Sequence, residues 1–109
     1  MPSSKIEEKF LTLWGKTYPL VILDREVQLI TGRKFRFDFA HLPSQVAVEI
    51  QGGTYSRSPK AHGTGVGLDR DYEKYNLAQY HGYLVFQLSC KMVNGLWVEL
   101  IYEAIKLRW

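Results

Sequence analysis

Residues 35–51 read FRFDFAHLPSQVAVEIQ, and the fold turns on how this stretch is read. Side chains two apart on a strand share a face. On that rule Phe35, Phe37 and Phe39 point one way, and Arg36 and Asp38 point the other. Pro43 and Ser44 suit a tight turn inside HLPSQ. The strand after it places Val46, Val48 and Ile50 on one face and Ala47, Glu49 and Gln51 on the opposite one. Two adjacent strands thus carry acidic groups where a packed sheet would place apolar ones.

Two carboxylates aimed at one spot repel each other and are tolerated best when a cation sits between them. Hydrolysis of a phosphodiester needs a nucleophilic water, a stabilised phosphorane and an assisted leaving oxygen. A hard divalent cation with oxygen ligands serves all three needs. Asp38 and Glu49 are the candidate ligands, and the backbone carbonyl of Ile50 is a natural third. Gln51 shares the face of Glu49, where its amide can orient a water or a phosphate oxygen, although it has no group fit to act as a general base. The ordinary alternative is the wet face of a two-stranded ribbon.

Working outward, Ser4 is placed to cap a helix over residues 4–16, with Glu7 in the capping-box position. Ile6, Phe10, Leu13 and Trp14 form its apolar stripe, Glu7 lies on the flank of that stripe, and Glu8 projects towards solvent. The segment YPLVILDREVQL reads as one or two short strands with a turn at Asp24 and Arg25. Residues 52–67 carry five glycines and read as a long loop. A second helix spans about 69–81 and closes before Gly82, YLVFQLS is a strand, and a last helix runs through Trp97, Leu100, Ile101, Ala104 and Ile105. This order predicts a single α/β (α+β) domain over residues 1–109, a central mixed sheet flanked by helices.

The 109 residues suffice for one core. Lys and Arg outnumber Asp and Glu by 14 to 11, an excess too small to establish a nucleic-acid partner. Basic residues nonetheless gather near the candidate site: Arg33, Lys34, Arg36, Arg57, Lys60, Arg70 and Lys74. One cysteine, Cys90, rules out an internal disulfide and reads as a buried thiol. There is no apolar run of membrane-spanning length, and MPSSKIEEKF lacks the apolar core of a signal peptide, so a reducing intracellular compartment is expected. The scattered His41, His62 and His81 do not make a zinc site, and no glycine spacing matches a nucleotide-binding loop.

The runs FRFDFAHLPSQVAVEIQGG (35–53) and LDRDYEKYNLAQYHGYLVFQLS (68–89) resemble the PD-(D/E)XK nuclease superfamily, in particular its small very-short-patch-repair-like and restriction-like endonuclease domains. The resemblance covers roughly residues 4–93 and implies a restriction-endonuclease-like fold. Asp38 matches the aspartate ending one core strand and Glu49 the acidic residue of the next, while Gln51 stands where a lysine is usual and Phe37 where a proline is usual. His62, Asp71, the triplet Lys74-Tyr75-Asn76 and the pair Gly82-Tyr83 match later positions of the pattern.

The resemblance implies a Mg²⁺-dependent DNA endonuclease, with Mn²⁺ able to substitute. It makes Asp38, Glu49, Gln51, Glu7 and Lys74 the catalytic set, with Asp38, Glu49, Ile50 and Glu7 around the metal. Glu7 is the acidic residue contributed by the first helix; a capping-box role is its ordinary alternative, and Glu8 replaces it if the helix is rotated. Lys74 stands in for the missing lysine, or else is a surface ion-pair partner. Arg36, His62, Asp71, Arg57 and Lys60 are the substrate-binding candidates. A domain this small has little surface for base readout, which points to a homodimer or a partner protein that supplies specificity. The runner-up reading is a nuclease-fold DNA-binding module that is weakly active or inactive because of Gln51.

Overall fold

The computed structural model describes residues 4–51 and 65–109, with side chains from 69 onward in the second stretch. Helix α1 (Lys5–Thr17) is followed by strands β1 (Asp24–Val27), β2 (Phe37–His41) and β3 (Val46–Gln51). Helix α2 (Gly65–Tyr80), strand β4 (Leu84–Ser89), a short 3₁₀ turn (Cys90–Met92) and helix α3 (Gly95–Arg108) complete the chain. The strands lie in sequence order in one mixed sheet, antiparallel from β1 to β3, with β3 and β4 parallel. The general α+β layout is therefore a four-stranded mixed sheet with helices against it. None of the helices among the described residues is long and apolar enough to cross a membrane.

The two faces of the sheet are packed differently. Val46, Val48 and Ile50 join Phe39, Leu88 and the buried residues of α1 and α3 in the larger core. Phe10 of α1 lies with its ring 5.0 Å from that of Phe39, while Val98, Ile101 and Ile105 bring α3 onto the same face. On the other face Ala40 and Ala47 meet Ala78 of α2. The small side chains of Ala40 and Ala47, paired across the strands, let α2 approach the sheet closely at Ala78.

Caps fix the helices in place. The Ser4 hydroxyl oxygen accepts from the Glu7 amide at 3.2 Å, and Asn94 caps α3 through the Trp97 amide at 3.1 Å. Gly82 ends α2 at φ +89, a left-handed conformation that favours glycine. The Tyr83 amide then reaches back to the Ala78 carbonyl at 2.9 Å and the Gly82 amide to Gln79 at 3.0 Å. That pair of bonds is a Schellman stop, and it sends the chain directly into β4.

Several sequence expectations need correction. Phe35, Phe37 and Phe39 do not share a face. Phe35 and Phe37 pack with Ile30, Ala40 and Ala47, on the side opposite Phe39. The alternation breaks at Asp38, for a reason given below. Asp24 and Arg25 do not form a turn; they pair with Ala40 and Phe39 as part of β1. The second helix begins at Gly65, inside the expected loop. Leu100 is exposed, and Val98 takes the inward position instead. Cys90 is half-buried and free.

Candidate metal centre

At residues 39–41 the β2–β3 ladder is regular, pairing Phe39 with Val48, Ala40 with Ala47 and His41 with Val46. One step further it gives way to side chains. The Asp38 amide donates to Glu49 Oε1 at 3.1 Å, and the Ile50 amide donates to Asp38 Oδ2 at 2.7 Å. Each carboxylate thus accepts a backbone N–H from the opposite strand, so no buried donor is left unpaired as the strands part. This exchange rotates β2 at Asp38 and sends Phe37 to the α2 face.

Around Asp38 three carboxylates converge. Glu7 of α1, Glu26 of β1 and Asp38 each offer an oxygen, and these oxygens lie within 4.8 Å of one another. Glu26 comes from a residue at φ 52, a left-handed conformation that costs a side-chain-bearing residue about 1–3 kcal/mol. Glu8 faces elsewhere and pairs with Arg25 at 3.1 Å.

Burial raises the carboxyl pKa of Glu7 above its ordinary value, and the charges of Asp38 and Glu26 add to the effect. Asp38 is also held high by burial, against the lowering pull of the Ile50 amide and the Lys74 ammonium. Burial is the main cause of both shifts, and the neighbouring carboxylates add to it. Three carboxylate oxygens are the donor chemistry a hard divalent cation takes, and the 4.8 Å within which they lie is comparable with the spacing of about 4.2–5.2 Å between opposite oxygen ligands of such an ion.

Glu49 stands apart from this group. It faces α2, where its carboxylate forms a short, partly buried ion pair with Lys74. Burial raises its pKa and the Lys74 bond opposes the rise. The Lys74 ammonium also lies 4.6 Å from the centre of the Phe37 ring, a cation–π contact that the rotation of Phe37 makes available. Gln51 faces α2 as well, and its amide nitrogen donates to the Tyr75 hydroxyl at 2.8 Å. Burial, with the Glu49 charge second, raises the Tyr75 pKa, so the phenol stays protonated.

The structure therefore gathers Glu7 and Asp38, links Asp38 to Glu49 and to the Ile50 amide, and seats Lys74 on Glu49. Arg36 is exposed just before β2 and donates to the Glu26 carbonyl at 3.4 Å. Asp71 is exposed on α2. Arg57, Lys60 and His62 lie outside the described residues. Glu26 was missed by the sequence reading. Its signal lay in the hairpin register: if Arg25 pairs with Phe39 and Val27 with Phe37, residue 26 comes beside Asp38. Comparison with protein-family models, with curated proteins and with solved structures returns no match.

Proposed function

We propose that the chain is a nuclease-fold module that binds DNA and carries a divalent-cation centre with weak phosphodiester hydrolase activity. The observation that carries this reading is the convergence of Glu7, Glu26 and Asp38 beside the Lys74–Glu49 pair. The resemblance of residues 35–53 and 68–89 to PD-(D/E)XK nucleases gives such a cluster its DNA chemistry. A bound Mg²⁺ or Mn²⁺ would supply Lewis acidity there. Glu7, Glu26 and Asp38 would hold it, while Glu49 steadies Lys74. Lys74 brings positive charge towards a phosphoryl oxygen, in place of the lysine that position 51 lacks. Gln51, held by Tyr75, orients a water.

Weak rather than full activity follows from two features of the site. Glu49 is neutralised by Lys74 rather than gathered with the other acids, and the position 51 amide carries no charge for the phosphorane. Single-turnover cleavage of a labelled duplex, with and without Mg²⁺ or Mn²⁺, tests the proposal. Slow, strictly cation-dependent cleavage that Asp38→Asn removes supports it. DNA binding with no cleavage under either cation reduces the chain to a binding module, and absence of both overturns the reading.

A further inference from the structure

A cleft of about 910 Å³ opens between the turn before β2 and the first turns of α2. Arg33, Lys34, Arg70 and Lys74 line it from the basic side. Lys74 belongs to both sites, since the same side chain that lines the cleft pairs with Glu49. Through Lys74 the cleft borders Glu49. Asp69, Asp71 and Glu73 also line it, so the described walls carry nearly balanced charge. A surface meant for a polyanion would be expected to be more positive than this.

The pairing within the cleft accounts for the balance. Arg33 forms an ion pair with Glu73, and both side chains are substantially exposed, at 40% and 47%. A pair so open to water is worth little and exchanges readily. Arg33 itself does not depend on Glu73 for its position. Its guanidinium lies over the Phe35 ring at 5.3 Å, and its amide closes a turn onto the Ile30 carbonyl at 3.1 Å. Gly32, at φ +84, makes that turn possible, and the Gln28 side chain holds the Arg33 carbonyl. The contact with Phe35 does not involve Glu73. A carboxylate and a phosphodiester oxygen pair offer an arginine fork the same two acceptors.

We infer that Glu73 is a built-in stand-in for a DNA phosphate on Arg33, and that the strand enters the cleft by displacing it and runs towards Lys74. The inference rests on the DNA-directed reading above and adds a self-competing gate to it. Glu73 thus competes with the incoming phosphate for Arg33.

The test is fluorescence anisotropy of labelled single-stranded and duplex oligonucleotides in EDTA, titrated with wild type, Glu73→Gln, Arg33→Gln and the double variant across a range of salt. Glu73→Gln is expected to tighten binding about two- to fivefold, the size of an exposed ion pair released. Arg33→Gln should weaken binding and lower the salt slope by about one. In the double variant, Glu73→Gln should add nothing to Arg33→Gln. Equal tightening by Glu73→Gln with or without Arg33 would show only a general charge effect and overturn the gate, as would unchanged binding in Arg33→Gln. Since EDTA removes hydrolysis from the measurement, the outcomes separate. Cation-dependent cleavage with additive cleft variants removes the gate and leaves the nuclease reading. Non-additive cleft variants in a protein that never cleaves leave the gate and remove hydrolysis.

Discussion

Strand β2 carries a polar side chain near each end, Asp38 and His41, and the two are treated in opposite ways. His41 is 5% exposed, and its Nδ1 is paired from within. Its Nδ1 lies 2.8 Å from Ser44 Oγ, whose own proton goes to the His41 carbonyl at 3.2 Å, so Nδ1 is the donor of the pair. Arg108 closes the same end, donating to the carbonyls of Ser44 at 2.9 Å, Gln45 at 3.5 Å and Gly82. The Trp109 ring meets the His41 ring edge-on at 4.4 Å. At the Asp38 end the carboxylates of Asp38 and Glu49 accept backbone amides, and the oxygens of Glu7, Glu26 and Asp38 converge. One end of the strand is closed by hydrogen bonds among the protein's own groups, while the other gathers three carboxylates. That contrast marks the Asp38 end as the candidate cation site.

Substitutions at the two ends should therefore part activity from stability. The largest effect belongs to Asp38→Ala, expected to lower single-turnover cleavage by about 100-fold or more, equivalent to about 2.7 kcal/mol. Circular dichroism should show the fold retained. Cleavage at the parent rate in this variant would end the distinction between the ends. Gln51→Ala and Lys74→Ala should each cost about 10- to 100-fold, or about 1.4–2.8 kcal/mol, in the same assay. If both leave the rate unchanged, the α2-facing residues take no part in the chemistry.

At the other end, Arg108→Ala strips three backbone carbonyls of their shared donor. It should cost about 1–2 kcal/mol in urea unfolding and leave the rate per folded molecule unaltered. Asp38→Asn should behave unlike an ordinary core-edge substitution. It keeps an acceptor for the Ile50 amide and removes a repelling charge, so the cation-free protein should melt about 2–4 °C higher, the shift that about 0.5 kcal/mol makes in a domain of this size. A lower melting temperature would mean that the carboxylate is stabilising as it stands.

The smallest expected effect is the pH dependence, and its sign differs between the ends. Glu7, Asp38 and Glu49 have folded pKa values raised above their ordinary 4.5, 3.8 and 4.5. Their contribution to stability is complete below those ordinary values and declines as pH rises through the raised ones. His41 is lowered from 6.5 by burial, so its contribution is complete above 6.5 and is lost as pH falls through the lowered value. The advantage of Asp38→Asn over wild type should therefore grow from pH 4 to pH 7. A constant advantage across that range would detach it from ionisation.

Much of this was legible in the sequence because it rests on local rules. The alternation of Val46, Val48 and Ile50 against Ala47, Glu49 and Gln51 gave β3 its two faces, and Gly82 marked the end of α2. Phe37 was misplaced because its face is set by the exchange between Asp38 and the Ile50 amide, a tertiary event that period-two counting does not contain. Glu26 escaped notice because Asp24 and Arg25 were read as a turn rather than as part of the β1 register that sets residue 26 beside Asp38. The Lys74–Glu49 pair joins residues 25 apart and depends on how α2 crosses the sheet. The chemistry of the centre could be read along the chain, but the grouping of its acids depended on the fold.

The claim on which the rest depends is that the Asp38 end is completed by a divalent cation. Calorimetric titration of the protein with Mn²⁺, in parallel with Asp38→Asn, measures this most directly. The account predicts saturable binding to the wild type that Asp38→Asn weakens by at least about tenfold, with a melting temperature that rises on saturation in the wild type alone; at 100 times the dissociation constant the gain is about 2.7 kcal/mol. Folded wild-type protein that takes up no cation, or a variant that binds it equally well, would contradict the account.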